Sequence, residues 1–127
     1  MKILLAEDEE MMQTMQAALL KKYGEVTVVS DGVEAVEKVV EIHSKNECYD
    51  LICLDYNMPN KSGLEALNSI RKLEKENQLK AAKIVMLTSR DDHTSMITSF
   101  KEACDAYIIK PLTKDNLEKN MVDLGLN

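Results

Sequence analysis

The stretch Tyr49-Asp50-Leu51-Ile52-Cys53-Leu54-Asp55-Tyr56-Asn57-Met58-Pro59 decides the fold. A short apolar run, Leu51 to Leu54, ends in an aspartate, and its length suits a buried strand rather than a helix. Pro59 cannot continue a central strand and drives Met58 towards an extended backbone, so the chain leaves the sheet here. Asp55 is therefore expected at the carboxyl end of a core strand. Ligands bind just outside such ends in open α/β sheets. Taken alone, Asp55 reads equally well as a turn-starting residue.

Working outward, four similar runs appear. Lys2 to Ala6 reads as a first strand ending in Glu7-Asp8-Glu9-Glu10, and Val26 to Val29 as a β-branched second. Asp50 to Asp55 is the third, Lys83 to Leu87 the fourth, ending in Thr88-Ser89, and Ala106 to Ile109 the fifth, ending in Lys110-Pro111. Helical spacing fills the gaps. Met11, Met12, Met15, Ala18 and Leu19 predict a core-facing helix stopped by Gly24. Val33, Val36, Val39 or Val40, and Ile42 predict a second, capped by Ser30 or Asp31, with His43 solvated in its last turn. Leu64, Leu67, Ile70 and Leu73 predict a third, capped by Ser62, with Arg71 to Lys80 a solvated end and loop. Met96, Ile97 and Phe100 predict a fourth, begun near Asp91 or Asp92. Leu117, Met121 and Leu124 predict a fifth, stopped by Gly125. Strand and helix alternate five times, which implies an α/β fold with a parallel sheet covered on both faces. Right-handed crossovers leave the flavodoxin-like, doubly wound five-stranded order 2-1-3-4-5 as the favoured topology.

Composition sets outer limits. The 127 residues carry a formal net charge of −6, which opposes nucleic acid or an anionic membrane as the main partner. One domain over 1–127 is expected, with no output domain. Three cysteines, Cys48, Cys53 and Cys104, lack zinc-ligand spacing, and Cys53 reads as a small core hydrophobe. A reduced, cytoplasmic setting follows more easily than a secreted one. The apolar stretch Ile3 to Ala6 is too short for a signal core or a membrane span.

The strand ends converge. Parallel strands share their carboxyl edge, so Glu7, Asp8, Asp55, Thr88 and Lys110 are expected together. Like charges a few ångströms apart repel by about 4 kcal/mol at an effective dielectric of about 20. Three carboxylates against one ammonium leave surplus negative charge, which a hard divalent ion balances. Mg²⁺ uses one or two carboxylates, keeps several waters and takes phosphate oxygens. Carboxylates serve as nucleophiles in aspartyl-phosphate chemistry. Lys110 and the Thr88 hydroxyl are placed to stabilise phosphoryl oxygens.

These pieces, Ala6-Glu7-Asp8, Leu54 to Pro59 with Gly63, Thr88-Ser89, and Tyr107 with Lys110-Pro111, resemble the receiver domain of two-component response regulators over essentially the whole chain. The resemblance implies that Asp55 is the phosphate acceptor and that Mg²⁺ or Mn²⁺ is held by Asp8 and Asp55. Glu7 would help directly or through water, and the main-chain carbonyl of Asn57 would complete the set. It makes Thr88 the switch hydroxyl, Lys110 the phosphate-binding lysine and Tyr107 the aromatic that swings inward. Asn57 and Arg90 flank the path of hydrolytic water and would set phosphate lifetime, and Lys110-Pro111 would be cis. Glu-Asp stands where Asp-Asp is commoner, the usual glycine before Tyr107 is missing, and Lys61 occupies an often apolar position.

The implied function is phosphotransfer from a partner's phosphohistidine to Asp55. That phosphorylation would switch the face formed by helix 4, strand 5 and helix 5. The partners are a sensor histidine kinase or phosphotransfer protein and a downstream protein, and the chain is not expected to turn over external substrates. A metal-dependent phosphohydrolase would need a general acid where Asn57 stands. A flavodoxin-like cofactor carrier lacks a glycine-rich cradle. A phosphorylation-independent interaction module is the third alternative.

Overall fold

The computed structural model describes residues 1–94 and 103–127. Five strands form one parallel sheet: β1 (Lys2–Ala6), β2 (Glu25–Val29), β3 (Leu51–Asp55), β4 (Lys83–Thr88) and β5 (Ala106–Ile109), in the order β2-β1-β3-β4-β5. The helices are α1 (Glu10–Leu20), α2 (Gly32–Ser44), α3 (Gly63–Asn77), α4 (described over 90–94) and α5 (Lys114–Asp123). The expected helical positions Met96, Ile97 and Phe100 lie outside the described residues.

The central strands are buried on both faces, as a covered parallel sheet requires. Alternate side chains feed two cores. Leu4, Ala6, Ile52, Leu54, Ile84 and Met86 pack against Val39 and Ile42 of α2 and Leu67 and Ile70 of α3. Ile3, Leu5, Leu51, Cys53, Val85 and Leu87 meet Leu20 of α1 and Leu117 and Met121 of α5 on the other side. Each fully buried aliphatic side chain contributes about 1.5–3 kcal/mol relative to exposure. Cys53 is 1% exposed, and burial pushes its thiol up to about 12, consistent with a small hydrophobe.

Register carries the site. Ala6 pairs with Leu54, Asp55 with Leu87, and Thr88 with Ile109. Glu7, Asp55, Thr88 and Lys110 therefore leave the sheet within a residue or two of one edge.

Local chemistry fixes the helix starts. Asp31 caps α2, its Oδ1 accepting from Glu34 N at 2.8 Å. Ser62 and Glu65 form a reciprocal capping box on α3, and Thr113 and Asn116 do the same on α5; each satisfies donors that a helix start otherwise orphans. The fourth helix begins at Arg90, one residue before the expected start, because Ser89 Oγ accepts from Asp92 N at 3.2 Å.

Three expectations from periodicity are overturned. Met11 is 79% exposed and Met15 44% exposed, and Ala18 is also outward; α1 instead buries Gln16 and Leu20. Leu20 enters the core with Ala17 and Leu19 packed against it, and the Gln13 and Gln16 side-chain amides hydrogen-bond to Glu7 from the same side of the helix. In α2 only Val33 departs from the expected stripe, being exposed; of the Val39 or Val40 alternatives Val39 faces inward, with Ile42 and with Val36 packed beside them. The run from Arg71 is not simply solvated. Arg71 donates to Glu74 Oε1 (2.9 Å), Ala82 O (2.9 Å), Ala103 O (2.8 Å) and Asp105 Oδ2 (2.8 Å), tying the end of α3 to the entries of β4 and β5.

Candidate functional site

The carboxyl edge gathers the charges that the sequence places at strand ends. Lys110 Nζ lies 2.9 Å from Asp55 Oδ1 and 3.8 Å from Glu7 Oε1. Ligand oxygens of Glu7, Asp8 and Asp55 all fall within 4.8 Å of one another. Glu7 and Asp55 are buried, whereas Asp8 is exposed and opens the cluster to solvent.

The electrostatics follow from that geometry. Burial raises the Glu7 carboxyl above its ordinary value, and the charge of Asp55 raises it further. Asp8 is raised by partial burial and by its contact with Glu7. Burial works against the ammonium of Lys110, but the hydrogen bond and charge of Asp55, with Glu7 and Asp8 behind it, prevail and raise its pKa. The cluster is therefore short of positive charge. Its hard oxygen donors, one open side and surplus negative charge fit a divalent ion of the Mg²⁺ type.

Around the acceptor the loop is tightly set. Asn57 N donates to Asp55 Oδ1 at 3.3 Å. Gly63 N donates to Tyr56 O at 3.0 Å, folding the chain back after the strand. A Cβ on Gly63 would lie 2.2 Å from the carbonyl oxygen of Asp55, so only glycine lets α3 start this close. Asn60, at φ 66°, donates from Nδ2 to Asp31 Oδ2 at 2.7 Å and links this loop to the start of α2. Lys61 is not a charge in the site; its Nζ reaches Ser69 Oγ at 3.0 Å along α3.

The remaining expected residues sit as follows. Thr88 is fully buried at the end of β4, its hydroxyl donating to Ser89 O at 3.3 Å rather than to Asp55. Its carbonyl accepts from Lys110 N at 2.7 Å, and the Lys110-Pro111 bond is cis as expected. Tyr107 lies outward, 39% exposed, with its ring 4.7 Å from that of His93. The Asn57 side chain donates to Asp92 Oδ2, and Ser89 Oγ donates to the same oxygen at 2.9 Å. Arg90 is exposed in the first turn of α4.

Two glutamines escaped the sequence reading. Gln16 Nε2 donates to Glu7 Oε1 at 3.2 Å, and Gln13 Nε2 donates to the carbonyl of Glu7 and to Ser30 Oγ. The available signal was their helical spacing with Leu20, which defines one inward stripe.

A parallel five-stranded sheet in this order, with an acidic, lysine-bearing carboxyl edge, defines a receiver-type fold. The sequence matches the response regulator receiver domain family over residues 3–122, and the chain belongs to that family, the receiving module of two-component signalling. It is similar to chemotaxis protein CheY1 of Helicobacter pylori, at 32% identity over 130 residues covering 100% of this chain and 99% of that protein. Hybrid signal transduction histidine kinase G of Dictyostelium discoideum is 37% identical over 120 residues, 92% of this chain but 3% of that protein. The response regulator protein TrrA of Thermotoga maritima, solved in complex with Mg²⁺-BeF, superposes with a TM-score of 0.75 at 30% identity and covers 97% of each chain.

Proposed function

We propose that the chain is a phospho-accepting receiver in which Asp55 takes a phosphoryl group from a phosphohistidine on a sensor kinase or phosphotransfer protein. The observation that carries this reading is the Asp55–Lys110 contact at 2.9 Å beside two further carboxylates. Asp8 and Asp55, with Glu7 and the Asn57 carbonyl, would hold Mg²⁺ or Mn²⁺. When bound, the ion supplies charge neutralisation for the phosphoryl oxygens.

The protein's own groups account for the rest. An Asp55 oxygen attacks phosphorus, the new P–O bond forms as the donor's P–N bond breaks, and the released imidazole nitrogen keeps the electron pair and takes up a proton. Lys110, already bonded to Asp55, offers its ammonium to the transferring oxygens. A phosphorylated Asp55 presents Thr88 with an acceptor stronger than the Ser89 carbonyl it now holds. Movement of that hydroxyl vacates space into which Tyr107 turns from its outward position against His93. The altered face of α4, β5 and α5 then selects a downstream protein. Asn57 and Arg90 line the approach of hydrolytic water and set how long the phosphoryl group lasts.

The chain thus acts as a single-turnover acceptor and switch rather than as an enzyme on external substrates. Its acidic charge suits protein partners better than nucleic acid or anionic membrane. No helix among the described residues is long and apolar enough to cross a membrane, and a cytoplasmic site of action fits. The structure of TrrA with Mg²⁺-BeF supports the metal-dependent reading. Incubation with a small phosphodonor tests the proposal: labelling should need Mg²⁺, vanish in EDTA and disappear in Asp55→Asn. Metal-independent labelling, or labelling unchanged in that variant, would defeat it.

A further inference from the structure

One fully buried polar side chain is not explained by packing. Gln16 of α1 is 0% exposed on the face that carries Leu20. Its Nε2 donates to Glu7 Oε1 at 3.2 Å, while its own Oε1 is buried with no hydrogen-bond partner. In the ionised form that would hold a cation, the Glu7 carboxylate only accepts, so the amide must turn its nitrogen to Glu7 and leave its oxygen unpaired. An apolar side chain of similar length would fill the space without stranding an acceptor, and such orphans are rare in native folds. The stranded oxygen is the consequence of aiming the nitrogen at Glu7.

Glu7 needs that hold. It has one more torsion than aspartate would have, and it faces the carboxylates of Asp8 and Asp55 within 4.8 Å. Repulsion would swing a longer side chain away from them. Two hydrogen bonds to the carboxylate oppose the swing: Oε2 accepts from Glu9 N at 3.2 Å, and Oε1 accepts from Gln16 Nε2 at 3.2 Å. Lys110 stands 3.8 Å from Glu7 Oε1 but is committed to Asp55 at 2.9 Å.

We propose that Gln16 is a positioning residue for the divalent-cation site, its amide clamping the Glu7 carboxylate towards Asp8 and Asp55. The inference rests on the metal-dependent reading above. Hydrogen-bond partners that orient metal ligands alter metal affinity by roughly 10–100-fold when removed.

Calorimetric titration with MgCl₂ or MnCl₂ alone tests it on the whole chain, with circular dichroism confirming the fold of each variant. Gln16→Met should weaken Mg²⁺ binding about tenfold. In a Glu7→Asp background, whose carboxylate is one methylene shorter and beyond the amide's reach, the same change should leave the dissociation constant unaltered. Gln16→Leu repeats the test should the methionine variant not fold. An affinity equal to or tighter than wild type overturns the proposal, and so does an equal loss in both backgrounds, which would mark a packing effect. A wild-type protein that binds neither ion overturns the metal-dependent reading itself, so the two failures are distinguishable.

Discussion

Removing the ammonium of Lys110 isolates what it does for the folded state. In Lys110→Met the stem is kept and the charge is lost, leaving Asp55 and Glu7 buried opposite Asp8. At 2.9 Å from Asp55, the attraction amounts to roughly 6 kcal/mol at an effective dielectric of about 20. Desolvation of both partners offsets part of it. Breaking a buried pair by deleting one member costs about 3–5 kcal/mol. The Lys110 side chain is 27% exposed, so water screens it, and about 3 kcal/mol is the expected loss. For a domain of this size that lowers the melting temperature by roughly 10 °C. Urea denaturation at neutral pH in EDTA measures it. Acidification should shrink the deficit, because protonation of Glu7 and Asp8 removes the uncompensated charge. A variant as stable as wild type at neutral pH, or a deficit independent of pH, would mean that Lys110 does not compensate these carboxylates.

Other consequences can be checked on the same material. Burial and Asp55 hold the Glu7 pKa above its ordinary value of 4.5, so between that value and the raised one the folded state keeps a proton that the unfolded chain releases. Stability of the metal-free protein should therefore be greatest below 4.5 as regards this group and fall as pH rises through the raised value; Mg²⁺ should reduce the fall, and denaturation midpoints against pH with and without the ion read both. Arg71→Met removes donors to Glu74, Ala82, Ala103 and Asp105 and takes the cation from buried Glu74, leaving that carboxylate only the Ala82 N–H at 2.7 Å; about 3 kcal/mol should be lost in urea denaturation. Gly63→Ala drives a methyl into the Asp55 carbonyl, where 2.2 Å separates them; about 3 kcal/mol of lost stability is expected, visible as a lower melting temperature.

The site was legible where chemistry coincides with the end of an apolar run. Asp55 closes Leu51 to Leu54, Glu7-Asp8 close Ile3 to Ala6, and Lys110 closes Ala106 to Ile109; a parallel register then brings them together without further information. The rotation of α1 was not legible from hydrophobicity. Its methionines at 11 and 15 outscore the glutamines at 13 and 16, yet the inward stripe is the one carrying Leu20, where both glutamine amides hydrogen-bond to Glu7. Arg71 was misread for a related reason. Its local composition matches a solvated helix end, while Asp105, 34 residues on, satisfies its guanidinium. Asn57 likewise meets Asp92 across 35 residues, a contact that no local pattern announces. The part played by Gln16 combines both difficulties, being polar in a buried stripe and paired across nine residues with a strand end.

Locating the phosphoryl group on the chain tests the proposed role of Asp55. Reduction of the phosphodonor-treated protein with borohydride, followed by peptide mass spectrometry, converts an aspartyl phosphate to homoserine and locates it. Homoserine should form at position 55 alone, and only when Mg²⁺ was present. Homoserine at Asp8 or another acid, or none under conditions that label the protein, would contradict that role.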